Sequence, residues 1–174
     1  MKHWVAWAGP DRMKTLILIR HGKSSWADIT LPDKDRPLSP RGERAAPKMG
    51  KRLAKRDVRP DLILSSPAMR ALATAEIIAR KLDYKRKHIV VDDRLYGGDA
   101  DDLLVVIYEL RDKLDRVMLF GHNPELTELA RRLSSKITHM PTCAVAEFRF
   151  DAKSWSNIDK VKPTKVAFDY PKKP

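Results

Sequence analysis

The apolar positions of this chain fall into two alternating rhythms. Thr15-Leu16-Ile17-Leu18-Ile19 is a continuous, mostly apolar run of strand length, the pattern of a strand covered on both faces. Residues 27–40 are rich in Asp and Pro and read as a loop. Ser39-Pro40 then opens a helix, with Ser39 as cap and Pro40 at the first helical position. On that helix Ala45, Ala46, Met49 and Leu53 recur at helical spacing, while Arg44, Lys48, Arg52 and Lys55 occupy another face.

The same alternation repeats. Asp61 to Leu64 reads as a second strand, closed by Ser65-Ser66-Pro67; a helix to about Leu82 follows, with Ser66 as its cap. His88 to Val91 is a short third strand, and Asp99 to about Lys113 a helix entered through Gly97-Gly98. Arg116 to Phe120 is a fourth strand, followed by a helix from about Pro124 to Leu133 capped by Asn123. Residues 143–150 alternate in part and read as a later, antiparallel strand. Four strand–helix alternations predict an α/β fold, a sandwich of three layers with a mostly parallel central sheet. Residues 1–13 carry turn chemistry without periodicity and read as an irregular arm. Residues 14–150 form the domain, and 151–174 a tail that is either mobile or adds one edge strand near Val166 to Phe168.

Composition narrows the class. At 174 residues the chain suits one domain. No apolar run approaches the roughly 18 residues needed to cross a bilayer, and the single cysteine, Cys143, excludes an intrachain disulfide. Both features point to the cytoplasm and away from a membrane partner. The net charge of +12 suggests anionic partners. Residues 41–60 hold eight Lys/Arg and two acids, half of that excess. They read either as a solvated helix face or as a guide toward an anionic substrate.

In open α/β sheets ligands bind beyond the carboxyl ends of the strands. The residues following those ends are Arg20 and His21 after the first strand, Ser65, Ser66 and then Arg70 after the second, Tyr96 to Gly98 after the third, and Gly121, His122 and Asn123 after the fourth. Two histidines and two arginines therefore converge on one rim. Guanidinium forks match phosphate oxygens and stay charged, and helix N-termini add N–H donors. The set suits a tetrahedral oxyanion.

The segments RHGKSSW at 20–26, LSPRGERAA at 38–46, SSPAMRALATAEIIA at 65–79 and FGHNPEL at 120–126 resemble the histidine phosphatase superfamily, the phosphoglycerate mutase-like group, and within it the SixA-type phosphohistidine phosphatases. The resemblance spans about residues 15–133. It implies the α/β sandwich, a transiently phosphorylated nucleophile at His21, phosphoryl binding by Arg20 and Arg70, and a hydrogen bond to the phosphoryl group from His122. It places Ser24 where the family has a small hydroxyl residue that touches phosphate, and Gly22 where the backbone passes close to the ligand. It calls for no cofactor and no metal, and no HxxxH or CxxC spacing is present.

One part of the pattern is missing. Many members carry a glutamate shortly after the third strand to protonate an alkoxide leaving group, and here that stretch is Arg94-Leu95-Tyr96-Gly97-Gly98-Asp99-Ala100-Asp101-Asp102. Asp99 or Asp101 (or Asp102) can stand in as general acid, but all three also suit a helix start. Without an acid, an imidazole leaving group is favoured over an alkoxide. The expected partner is thus a protein bearing phosphohistidine, with a small phosphorylated molecule as the alternative. A basic nucleic-acid binder is the rival from another class, but the 41–60 helix has no interleaved aromatic residues.

Overall fold

A computed structural model describes residues 13–174; the N-terminal arm expected over residues 1–13 lies outside them except for Met13. Six strands form one sheet in the order β3-β2-β4-β1-β5-β6. The strands are β1 (Met13–Arg20), β2 (Leu62–Ser65), β3 (Val90–Val91), β4 (Arg116–Gly121), β5 (Val145–Asp151) and β6 (Lys165–Asp169). The first four run parallel, and β5 and β6 add antiparallel to the β1 side. The helices are α1 (Pro40–Lys55), α2 (Met69–Lys81), α3 (Ala100–Tyr108) and α4 (Glu125–Leu133).

The period of two in β1 builds the three layers. Ile17 and Ile19 pack with Ala46, Met49 and Leu53 of α1 and with Ala75 and Ile78 of α2. Leu16 and Leu18 point the other way, into a cluster with Leu103 and Ile107 of α3 and Leu126 and Leu129 of α4. All four β1 side chains are fully buried, each contributing about 2 kcal/mol of apolar burial.

Ser39 caps α1 as its sequence predicts, accepting from the Gly42 N–H at 3.2 Å, with Pro40 at the start. Several boundaries differ from the sequence reading. The third strand, read from His88, is only Val90–Val91, because His88 ends a 3-10 turn, and β5 starts at Val145 rather than residue 143. Helix α2 begins at Met69, after Ala68; the Ser66 hydroxyl, expected to cap it, accepts from the Ala68 N–H at 3.2 Å just before the helix and also meets His122. Helix α3 stops at Tyr108, five residues short of Lys113; Arg111 to Leu114 instead form a turn whose carbonyls face Lys14 and Trp155. Helix α4 starts one residue later than expected, and Asn123 still serves its first turn, its Oδ1 accepting from Thr127 N–H and hydroxyl at 3.3 and 2.9 Å.

The tail is tied down. Strand β6 pairs with β5 from Lys165↔Arg149 to Asp169↔Val145. Arg52 of α1 then holds Asp169 at 2.8 Å and donates to the carbonyls of Tyr170 and Lys173. Among the described residues no helix is long and apolar enough to cross a membrane.

Candidate active site

Strand register brings the chemistry together. Arg20 lies opposite Gly121 on the neighbouring parallel strand, so His21 and His122 leave the sheet side by side. Ser65 lies opposite Phe120, which delivers Ser66 to the same edge. The His21 N–H donates to the Gly121 carbonyl at 3.1 Å, and the Ser66 N–H to the Phe120 carbonyl at 3.0 Å. The two imidazole rings stand 5.0 Å apart, both buried, and the Arg70 guanidinium reaches between them from the first turn of α2.

The donors and acceptors fix both tautomers. His21 Nδ1 lies 2.7 Å from the Gly22 carbonyl, which can only accept, so Nδ1 carries the proton. Arg70 Nε donates to His21 Nε2 at 3.3 Å, and guanidinium can only donate, so Nε2 presents its lone pair. His122 is the mirror case. Arg70 Nη2 faces its Nδ1 at 3.4 Å, so the proton sits on Nε2 and is donated to the Ser66 hydroxyl at 2.7 Å. Burial pushes His21 down to about 3, and the neighbouring His122, Arg70 and Arg20 act in the same direction against the Gly22 bond. Burial, then the Arg70 charge, pushes His122 down to about 4. Both rings are therefore neutral near pH 7.

The nucleophile segment is clamped from three sides. The Gly22 N–H donates to Thr74 Oγ1 at 3.0 Å, and the same hydroxyl donates to the Arg70 carbonyl at 2.7 Å, tying β1 to α2. Cys143, held at a φ of 64°, points its N–H at the carbonyls of Arg20 and His21 at 3.1 and 3.0 Å. A left-handed non-glycine residue stores strain, and here it anchors the turn that carries His21. At Gly22 an added Cβ would come within 3.1 Å of Leu38 and 3.3 Å of the Gly42 backbone. Packing against Leu38 and the start of α1 therefore favours glycine there, a reason separate from the close approach to ligand expected from sequence.

Arg20 and Arg70 are not equally engaged. Arg20 Nη1 donates to the Met140 carbonyl at 3.0 Å, while its Nε is buried without a partner. Arg70 is engaged at every nitrogen: besides the two histidines it donates to the Asp33 carbonyl at 2.7 Å and to Asp33 Oδ2 at 3.0 Å. Asp33 also accepts from the Tyr96 hydroxyl at 2.7 Å, and Tyr96 meets His122 edge-on at 5.4 Å. Arg36 completes this rim. It is buried, donates to Ser24 Oγ, pairs with Asp33 at 3.3 Å and stacks on Trp26 at 3.4 Å.

The structure thus gathers His21, His122, Arg20 and Arg70 as the sequence predicts. It connects Ser24 to them only through Arg36 and Asp33. The candidate general acids are not brought in. Asp99 caps α3, accepting from Asp102 N–H at 3.0 Å, and Asp102 returns the bond at 2.8 Å. Asp101 pairs with Arg132 at 2.6 Å. The Asp102 bond also holds the Asp99 carboxyl below the usual carboxylate range, which opposes a proton-donating role. Two other carboxylates reach the site: Glu125, buried at the start of α4 within range of the Arg20 charge and pushed up by burial, and Asp33, inside the segment read as a loop. At Asp33 the surroundings act the other way. The Tyr96 hydroxyl bond, aided by Arg70, holds it ionised and low. Asp33, Arg36 and Cys143 carry no signal in the sequence; Ser66 and Tyr96 are marked only by following strand ends, and Ser66 and Thr74 by lying inside the SSPAMRALATA segment. Among the described residues no three His, Cys, Asp or Glu cluster as metal ligands.

Two buried, neutral imidazoles and two charged guanidiniums, Arg70 buried and Arg20 half-buried, stand at the carboxyl ends of parallel strands, an arrangement chemically able to hold a tetrahedral oxyanion. Residues 16–103 match the model of the histidine phosphatase superfamily, branch 1. The chain belongs to this superfamily and is a hydrolase of that class. An uncharacterised chloroplastic protein of Arabidopsis thaliana is 34% identical over 151 residues, 82% of this chain and 69% of the relative. The crystal structure described as phosphohistidine phosphatase SixA from Agrobacterium tumefaciens superposes with a TM-score of 0.73 at 27% identity, over 88% of this chain and 97% of that one. The SixA protein from Nakamurella superposes with a TM-score of 0.76 at 22% identity, over 92% and 98% of the two chains, a likeness of fold.

Proposed function

We propose that this phosphatase hydrolyses phosphohistidine on proteins through a phosphorylated His21. The observation that carries the reading is the fixed lone pair of His21 Nε2, aimed at Arg70 and backed by the Gly22 carbonyl on Nδ1. The Nε2 lone pair attacks phosphorus, and the bond from phosphorus to the substrate imidazole nitrogen breaks. With its other nitrogen protonated, that imidazole departs neutral. Arg20 and Arg70 bear the charge of the equatorial oxygens, and Arg70 exchanges an Asp33 contact for phosphate. His122 Nδ1, when protonated by the incoming phosphate, donates to it. Water then attacks phospho-His21; phosphate leaves with the oxygen, and His21 returns to its neutral form.

Leaving-group chemistry favours this substrate class over alkyl phosphates. Asp33, whose carboxylate bonds Arg70, is held ionised and carries no proton for an alkoxide, and the raised Glu125 carboxyl lies near Arg20 but bonds neither imidazole. The likeness to the Agrobacterium SixA supports the same choice. A broad small-molecule phosphomonoesterase is the alternative. A quench without acid, after mixing with a labelled phosphate donor, tests the intermediate: label stays on the native chain and is absent from His21→Ala. Equal labelling of both removes His21 from the scheme. Turnover of sugar phosphates as fast as phosphohistidine would favour the alternative.

A further inference from the structure

Helix α1 carries a second concentration of positive charge outside the cavity. Arg41, Arg44, Lys48, Lys51 and Lys55 follow one another at steps of three and four, so they share one face of the helix. All five are exposed. No Asp or Glu lies three or four places from any of them on the chain, and among the described residues none of them forms an ion pair. The stripe extends over about 21 Å at 1.5 Å per residue. Two adjoining hollows, of about 350 and 360 Å³, run along it and share Arg44 and Lys48. The tail forms a wall of the first, held there by the Lys48 ammonium donating to the Pro171 carbonyl at 2.6 Å.

The stripe leads to the nucleophile. At its start the helix touches the His21 segment: a Cβ on Gly42 would come within 2.3 Å of the Lys23 carbonyl, and the Ser39 N–H donates to that carbonyl at 2.8 Å. Lys23, two residues beyond His21, is itself exposed and lines the first hollow. Like charges stacked at this spacing repel one another unless a partner neutralises them.

We infer that this face docks an acidic surface of the protein substrate, seating it so that its phosphorylated side chain reaches His21. The inference rests on the protein-substrate reading above. Its length selects the occupant, because a small anion would fill one hollow and leave Lys51 and Lys55 unmatched. A nucleic acid would need a row of stacking partners, and the two hollows offer one aromatic residue, Tyr170, at one end, with none between Arg41 and Lys55. An acidic helix or strand, with carboxylates repeating along roughly the same 21 Å, matches charge for charge.

Two synthetic peptides of roughly 20 residues test this, one with Glu repeating at helical spacing around a single His and one with Gln in those places. Unphosphorylated, the acidic peptide should bind the full-length native chain roughly tenfold more tightly than the Gln peptide at low salt, and the difference should vanish at high salt. The Arg44→Glu/Lys51→Glu variant should lose the preference. With phosphohistidine in the peptides, the variant should raise KM for the acidic one by roughly tenfold while kcat and the turnover of phosphoimidazole stay unchanged. Equal affinity of the native chain for the two peptides overturns the inference, as does a variant that loses phosphoimidazole turnover in parallel. Tighter binding of single-stranded RNA than of the acidic peptide, lost in the same variant, would also overturn it and assign the face to nucleic acid. Acidic-peptide binding without hydrolysis of either phosphopeptide would sink the substrate reading and leave the docking face standing; hydrolysis without preference would do the reverse.

Discussion

The two ends of β1 each carry a cation, and the protein treats them in opposite ways. Lys14, near the start, is fully buried, and its three donors are matched by the carbonyls of Asp112 and Leu114 and by Asp115 Oδ1 at 2.9 Å. Arg20, at the end, makes one bond to Met140 and leaves Nε buried without a partner. Buried polar groups are normally satisfied, and an exception calls for a reason. Lys14 is satisfied by its own chain and belongs to the scaffold. Arg20 is incomplete by itself, which suits a group that awaits an anion.

That contrast can be broken by experiment. Arg20→Met should lower kcat/KM for phosphohistidine by roughly 100- to 1000-fold, the loss typical of one group that stabilises transition-state charge. Its thermal unfolding midpoint should stay level or rise, since an unmatched buried N–H is removed. Lys14→Met should do the opposite. The Asp112 carbonyl loses its partner while Asp115 remains half-exposed to water, so stability should fall by about 2 to 3 kcal/mol in urea unfolding, with turnover per folded molecule unchanged. If both variants lose activity and stability together, the division of β1 into scaffold and site is wrong.

Two smaller effects sharpen it. Ser66→Ala removes the acceptor for His122 Nε2–H and should cost about 1 kcal/mol of transition-state stabilisation, five- to tenfold in kcat/KM, while the circular dichroism spectrum is unchanged. The second effect is on pH. His21 and His122 are held at about 3 and about 4, below the ordinary 6.5. Between those values the unfolded chain binds more protons than the folded one, so stability rises with pH through this window and levels off above about 6.5. Most carboxylates titrate in its lower half, and buried Glu125, pushed up, acts with the opposite sign equally in the native chain and in a variant without the two histidines, so the two are compared from about 5 to 6.5. The unfolding midpoint of the native chain should climb there, and the His21→Gln/His122→Gln variant should climb less. An equal slope would mean that the rings are not buried neutral.

Much of the site was legible because strand ends are legible. The Leu16–Ile19 run and the one at Arg116–Phe120 each stop at a His-bearing turn, and parallel register does the rest. Ser39-Pro40 marked the start of α1 by local chemistry alone. The misreadings share a different cause. Ser66 looks like a helix cap and nothing more, yet its hydroxyl serves both the Ala68 N–H ahead of α2 and a histidine from residue 122. Asp33 looks like one acid among several in a loop until Arg70, 37 residues away, takes both its carbonyl and its carboxylate. Asp99 and Asp101 attracted attention by position in the chain, yet capping and Arg132 account for them.

The sequence by itself determined the layers, the strand that carries His21 and the four cationic or imidazole groups of the rim, because periodicity and turn chemistry act over a few residues. Only the tertiary structure decided which nitrogen of each ring holds the proton, which carboxylate attends Arg70, and that the tail lies against α1. Apart from the bond of His21 Nδ1 to its neighbour Gly22, those outcomes depend on hydrogen bonds between residues 37 to 123 positions apart, which nothing local encodes.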